Sequence, residues 1–290
     1  MRSHEVVTTS AWVLVRLPAY VVAVMVGVMT PLATGIVGVP ERLRRAVWIA
    51  GALAGIGLVL VTEAGLLAVA TVVPYAVVAG LVGLVGARRW LAWPRTASEA
   101  ASATALAFVP AAAAWLVAAR AGYALLGYTP FWVLLTAAHF HVAGVCLLAV
   151  IGRAAAGRGP AAALVALGCV IAVPLTAAGI YGPRWLEVGA ACMMAASGFG
   201  AGLVLVTAPR SLAGERTTVL RGAGALLLAT MVLAALFALR DHGITIAVFG
   251  LDPLASMLIA HGVPNTILVM LTAVIALPRA SVRNNGRRAD

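Results

Sequence analysis

Three imidazoles and three carboxylates stand where a chain this apolar has little reason to keep them. His139 and His141 lie in Thr136-Ala-Ala-His139-Phe140-His141-Val-Ala-Gly144, and His261 lies in Met257-Leu-Ile-Ala-His261-Gly-Val-Pro264-Asn265. Glu63, Glu187 and Asp252 sit at the edges of other apolar runs. Imidazole and carboxyl groups are the usual proton carriers of general acid–base catalysis. Inside a membrane they also mark proton-coupled transport routes. Met257, His261 and Asn265 recur at i, i+4 and i+8, so a helix puts them on one face. His139 and His141 are two residues apart and point about 160° away from each other on a helix. One of them therefore meets a cavity while the other holds a neighbouring helix, and the pattern leaves open which. The same angle makes the pair a poor chelate for one metal ion. Asp252 precedes Pro253, which is a good helix start, so it reads either as an N-cap or as an acid at a cavity mouth.

The elements that position these groups follow from composition. Of 290 residues, 63% are hydrophobic and only 10% charged, where a soluble domain carries roughly 25% charged residues. A soluble fold or a nucleic-acid-binding module is excluded; the class is an all-α, polytopic transmembrane helix bundle. Nine spans are expected, at 11–30, 46–62, 66–87, 98–120, 129–152, 161–181, 185–207, 217–239 and 253–278. The split between the second and third rests on Glu63 and Gly65; without it the count is eight. One transmembrane domain covers 1–280, and 281–290 form a polar cytoplasmic tail. The first span reads as an anchoring helix rather than a cleaved signal peptide.

All 20 basic residues are Arg. Fifteen fall in the first, third, fifth and seventh loops and the tail, and four on the opposite side. This positive-inside bias places the C-terminus in the cytoplasm and makes the protein a multi-pass protein of the bacterial cytoplasmic membrane. It also makes the arginines topology anchors before anything else. Glu63, Glu187, Asp241 and Asp252 then fall on the outer side, with His139, ~15 Å deep, and His261, ~12 Å deep, beneath them. Pro18, Pro74, Pro110, Pro174 and Pro264 lie within spans, where they kink helices. Gly51/Gly55 and Gly198/Gly200/Gly202 read as close-packing faces. Cys146, Cys169 and Cys192 lie in apolar runs and form no disulfide framework. No phosphate-binding loop, G-x-G-x-x-G, H-E-x-x-H, C-x-x-C or G-x-S-x-G motif occurs.

The segment from Leu135 to Gly144 resembles the His-Phe-His-aromatic-Ala-Gly-Phe segment of YndJ-like bacterial membrane proteins. Met257 to Asn265, with Asp252 before it, resembles that family's Met-x-x-x-His-Gly-x-x-Asn-Ala segment. The departures are Val142 where an aromatic is usual, Val145-Cys146 where Phe is usual, and Thr266 where Ala is usual. The family implies no specific activity. In architecture alone the chain is similar to membrane cyclases of isoprenoids.

The resulting expectation is an intramembrane acid–base enzyme of cyclase, isomerase or epoxide-opening type. It would need no cofactor and would act on a lipophilic, isoprenoid-like substrate taken from membrane lipid, with no nucleic-acid partner and an open oligomeric state. Glu187, Asp252 or Glu63 is the expected acid; His139, His141 and His261 supply base or orienter, with Asn265 assisting. Phe140, Trp132, Thr136, Met257 and Tyr128 are expected to line the pocket, the first two stabilising positive charge through their rings. Tyr181 is a further polar candidate. The alternatives are a proton-coupled permease, a His-ligated metal or haem protein, and a membrane assembly protein.

Overall fold

The computed structural model describes residues 16–179, 182–208, 214–238 and 251–278. Among them are nine helices long and apolar enough to cross a membrane: α1 (Arg16–Ile36), α2 (Glu41–Leu60), α3 (Leu66–Leu91), α4 (Ala97–Arg120), α5 (Pro130–Ala154), α6 (Pro160–Gly179), α7 (Arg184–Val206), α8 (Gly214–Phe237) and α9 (Pro253–Ala276). The molecule is an all-α polytopic bundle. The break between α2 and α3 is real. Gly65 adopts φ 145°, a backbone conformation that disfavours side chains, and its N–H donates to the Arg120 carbonyl at 2.9 Å.

Three expected boundaries move. The first helix ends at Ile36 rather than 30, and the second starts at Glu41 rather than 46. Arg42, Arg44 and Arg45 therefore lie in the opening turns of α2, where Glu41 pairs with Arg44 and Arg45. The third helix runs on to Leu91 and carries Arg88 and Arg89 within it. At the start of α2 and the end of α3, charged residues continue the backbone hydrogen-bond ladder while their heads reach the interface, so an apolar window stops short of them; α1 instead runs on through Pro31 after a π-helical turn. The tail after residue 278, and Asp241 and Tyr181, lie outside the described residues.

Four arginines tie helix ends together, of which Arg120 is buried and the others are partly exposed. Arg89 donates to the Val37 and Gly38 carbonyls at 2.6 and 2.9 Å, beyond the end of α1. Arg120 donates to the Val61 carbonyl after α2. Arg158 donates to carbonyls of Val204 and Thr207 at the end of α7, and Arg221 to that of Ala208 at 3.0 Å. The last carbonyls of a helix have no partner within it and carry partial negative charge, so a guanidinium is well suited to them. Topology anchors thus double as caps.

The central helix is α5: 78% of its apolar window is buried, against 28% for α3 and α6, which face outward. Exposed Trp90, Trp93, Tyr123 and Trp185 sit near helix ends, as interfacial aromatics do. Close approach uses the expected glycines. A Cβ on Gly55 would come within 3.0 Å of the Ala23 carbonyl, and one on Gly202 within 3.0 Å of the Gly224 carbonyl. Gly144 makes room for Phe108 of α4, whose ring a Cβ would approach at 2.7 Å.

Wider π-helical turns occur at Met25–Met29 in α1, Phe140–Leu147 in α5, and Leu258–Gly262 and Pro264–Leu271 in α9. Pro31 and Pro264 explain two of them. A proline ring collides with the carbonyl four residues back, here Gly27 and Ala260, and the turn widens to escape. These three helices carry the histidines or pack beside them.

Candidate functional site

A cavity of about 390 Å³ lies among α1, α5, α6, α7, α8 and α9. It takes the first halves of α1, α5, α7 and α9 and the last parts of α6 and α8. All of these ends face the side that the arginine bias makes external. Most of the wall is apolar, including Trp132, Met231, Phe237 and Met257. The polar members are Thr136, His139, Thr176, Glu187, His261, Asn265 and Thr266. Among the described residues, no arginine lines it.

His139 and His141 diverge as their spacing requires. His139 lines the cavity. His141 is fully buried on the other side of α5: its Nε2 lies 3.0 Å from the Tyr75 hydroxyl of α3, and its Nδ1 lies 2.7 Å from the Ala137 carbonyl. It is the imidazole that holds a neighbouring helix, and its expected place at the cavity is corrected accordingly.

His261 enters the same cavity from α9. Its Nδ1 donates to the Thr230 carbonyl of α8 at 2.8 Å. That bond places the ring proton on Nδ1 and leaves Nε2 as the basic nitrogen. The Asn265 amide nitrogen lies 3.1 Å from Nδ1 and 3.3 Å from Nε2; with Nδ1 donating to Thr230, the amide N–H has Nε2 as its acceptor, and the Thr230 hydroxyl donates to the Asn265 oxygen at 2.6 Å. Met257, His261 and Asn265 all reach the cavity, so the shared helix face survives the π-helical turns.

His139 keeps a contact with the Val173 backbone, but its Nε2 is enclosed with no hydrogen-bond partner. One turn earlier on α5, the buried Thr136 hydroxyl is also enclosed and without a partner.

The other expected residues divide. Glu187 opens α7 and lines the cavity while remaining exposed, so it is a mouth group rather than an enclosed acid. Trp132 is on the wall. Phe140 is not: its ring packs 5.2 Å from Phe108 and 6.0 Å from Trp115. Tyr128 is also off the wall, edge-on to Trp115 at 5.2 Å, with its hydroxyl donating to the Ala177 carbonyl at 3.3 Å. Glu63 is exposed in the connection between α2 and α3, away from the cavity. Asp252 caps α9, its Oδ1 accepting from the Leu254 and Ala255 N–H groups at 3.0 Å each. Asp252→Ala is therefore expected to cost about 1 kcal/mol of stability, and Asp252→Asn almost nothing, by thermal unfolding in detergent.

The three imidazoles do not converge, since His141 turns toward α3. Among the described residues, no group of three or more His, Cys, Asp or Glu is placed to hold a metal ion. Sequence reasoning missed Thr230, Thr176 and Thr266. Thr230 sits in a stretch of α8 with no ionisable neighbour, and nothing in its local pattern marks it.

A family model described as YndJ-like protein matches residues 13–269. No curated protein and no solved structure matches the chain.

Proposed function

The chain belongs to the YndJ-like protein family, as a multi-pass membrane protein consistent with the bacterial inner membrane, and we propose that it is an intramembrane proton-transfer enzyme acting on a lipophilic substrate. The observation that carries this reading is the pairing of His261 and His139 in one apolar cavity, with the His261 proton held on Nδ1 by the Thr230 carbonyl. A neutral imidazole with its second nitrogen so oriented is a general base, and its backbone partner stabilises the charge that develops on it.

The chemistry this supports is isomerisation. His261 Nε2, released by the Asn265 amide as substrate enters, removes a proton from the carbon between a carbonyl and a carbon–carbon double bond, and the electron pair delocalises through that double bond and onto the oxygen as a dienolate. The imidazolium returns the proton at a second carbon, and the double bond has moved with no net change in atoms or electrons. An apolar wall keeps water from quenching the charged intermediate. Protonating an isolated alkene requires a stronger acid than imidazolium. Asp252 and Glu63 stand away from the cavity and Glu187 is exposed, so isomerisation is favoured over cyclisation or epoxide opening.

The test is isotope exchange. The purified protein in nanodiscs is incubated in D2O with the lipophilic extract of its host membranes, and the extract is analysed by mass spectrometry. The expected result is deuterium at a carbon-bound position of at least one neutral lipophile, at a rate that scales with protein. Absence of protein-dependent deuterium in every species would overturn the reading.

A further inference from the structure

We propose that the cavity selects lipophiles whose polar end is a neutral oxygen, a hydroxyl or carbonyl, held between Thr136 Oγ1 and His139 Nε2. This deepens the reading above by naming the substrate class, and it rests on the cavity being the reaction chamber.

The hydrogen-bond inventory of the wall leads to it. Thr176 donates to the Ala172 carbonyl and Thr266 to the Gly262 carbonyl, each at 2.8 Å. His261 and Asn265 are engaged with each other and with Thr230. Among the described residues of the wall, only Thr136 Oγ1 and His139 Nε2 are enclosed without a partner. They sit at i and i+3, one turn apart on a single face of α5. An enclosed polar atom left unpaired carries its full desolvation cost, so two of them one turn apart form a strong polar target in an otherwise apolar wall.

The chemistry of that target is narrow. A hydroxyl both donates and accepts, and a neutral imidazole nitrogen is one or the other. Together they suit one uncharged oxygen: a hydroxyl can meet both groups, while a carbonyl oxygen takes the Thr136 donor. A phosphate or carboxylate entering here would bury its charge with no arginine on the wall to meet it, at a cost no neutral group bears. An amine would be drawn to Glu187 at the mouth instead and would leave the Thr136–His139 pair unmet.

The test is competition against tritiated farnesol bound to the full chain in nanodiscs. Farnesol and farnesal are expected to compete at least tenfold better than farnesane, farnesyl phosphate or farnesylamine. Thr136→Val and His139→Leu should each erase most of the advantage of farnesol over farnesane while leaving farnesane unchanged, and Thr136→Ser should keep it. Melting temperature is checked for each variant, and the isosteric Thr136→Val decides if His139→Leu fails to fold. The proposal is overturned if farnesol does not bind, if phosphate or amine competes as well as alcohol, or if the advantage survives in Thr136→Val. Oxygen selectivity without isotope exchange would sink only the proton-transfer reading. Exchange without oxygen selectivity would sink only this one.

Discussion

Replacing His261 with Gln is expected to reduce deuterium wash-in by about 10²–10⁴-fold, the range a general base contributes. Glutamine retains a polar amide near the Thr230 carbonyl and the Asn265 side chain, but it has no basic nitrogen. Membrane insertion and melting temperature should therefore stay close to wild type while exchange falls to background. Thr230 offers a second measurement. Its carbonyl orients the ring and its hydroxyl orients Asn265, so Thr230→Val removes only the hydroxyl. A smaller loss, in rate rather than in farnesol affinity, is expected there. Wild-type exchange in the His261→Gln protein would remove the base from the mechanism.

His141→Ala is expected to act on stability instead, lowering it by about 2–4 kcal/mol. The side chain is fully buried and bridges the Tyr75 hydroxyl and the Ala137 carbonyl. Its removal leaves a cavity at the most buried helix and takes the imidazole partner from the buried Tyr75 hydroxyl. The hydrogen bond alone accounts for little, since such bonds in membrane bundles average ~0.6 kcal/mol; the lost packing supplies the larger share. Tyr75→Phe should therefore cost much less, and the two changes together less than their sum. Unfolding in detergent mixtures measures this. A protein lacking His141 that unfolds like wild type, yet loses exchange, would reverse the roles assigned to the two neighbouring imidazoles.

That reversal was a live alternative in the amino-acid pattern. The two-residue spacing requires His139 and His141 to face apart, because a helix turns about 100° per residue. It carries no information on which side the cavity lies. The side is decided by α3, which brings Tyr75 to one flank of α5, and by α8 and α9, which leave open space on the other. Asp252 shows the same limit. Its position before Pro253 is legible as a cap and as a mouth acid alike, and only the hydrogen bonds to Leu254 and Ala255 choose the cap. Helical spacing puts Phe140 and Gly144 on one face of α5, but the ring that fills the gap at Gly144 comes from Phe108, a residue 36 positions away.

Composition and the spacing of apolar runs determined by themselves that this chain is a bundle of about nine membrane-crossing helices. They did so because lipid leaves no other way to satisfy the backbone of a long apolar segment. They also determined that Met257, His261 and Asn265 share a face, since that is local helix geometry. The tertiary structure alone decided that His261 and His139 share one chamber, that Thr230 sets the tautomer of His261, and that Thr136 and His139 are left unpaired. Each of these depends on which helix lies beside which. In an all-apolar bundle nearly every helix face is compatible with lipid and with protein, so neighbours are selected by glycine clefts, arginine caps and π-helical turns spread across the whole chain rather than by any local run of residues.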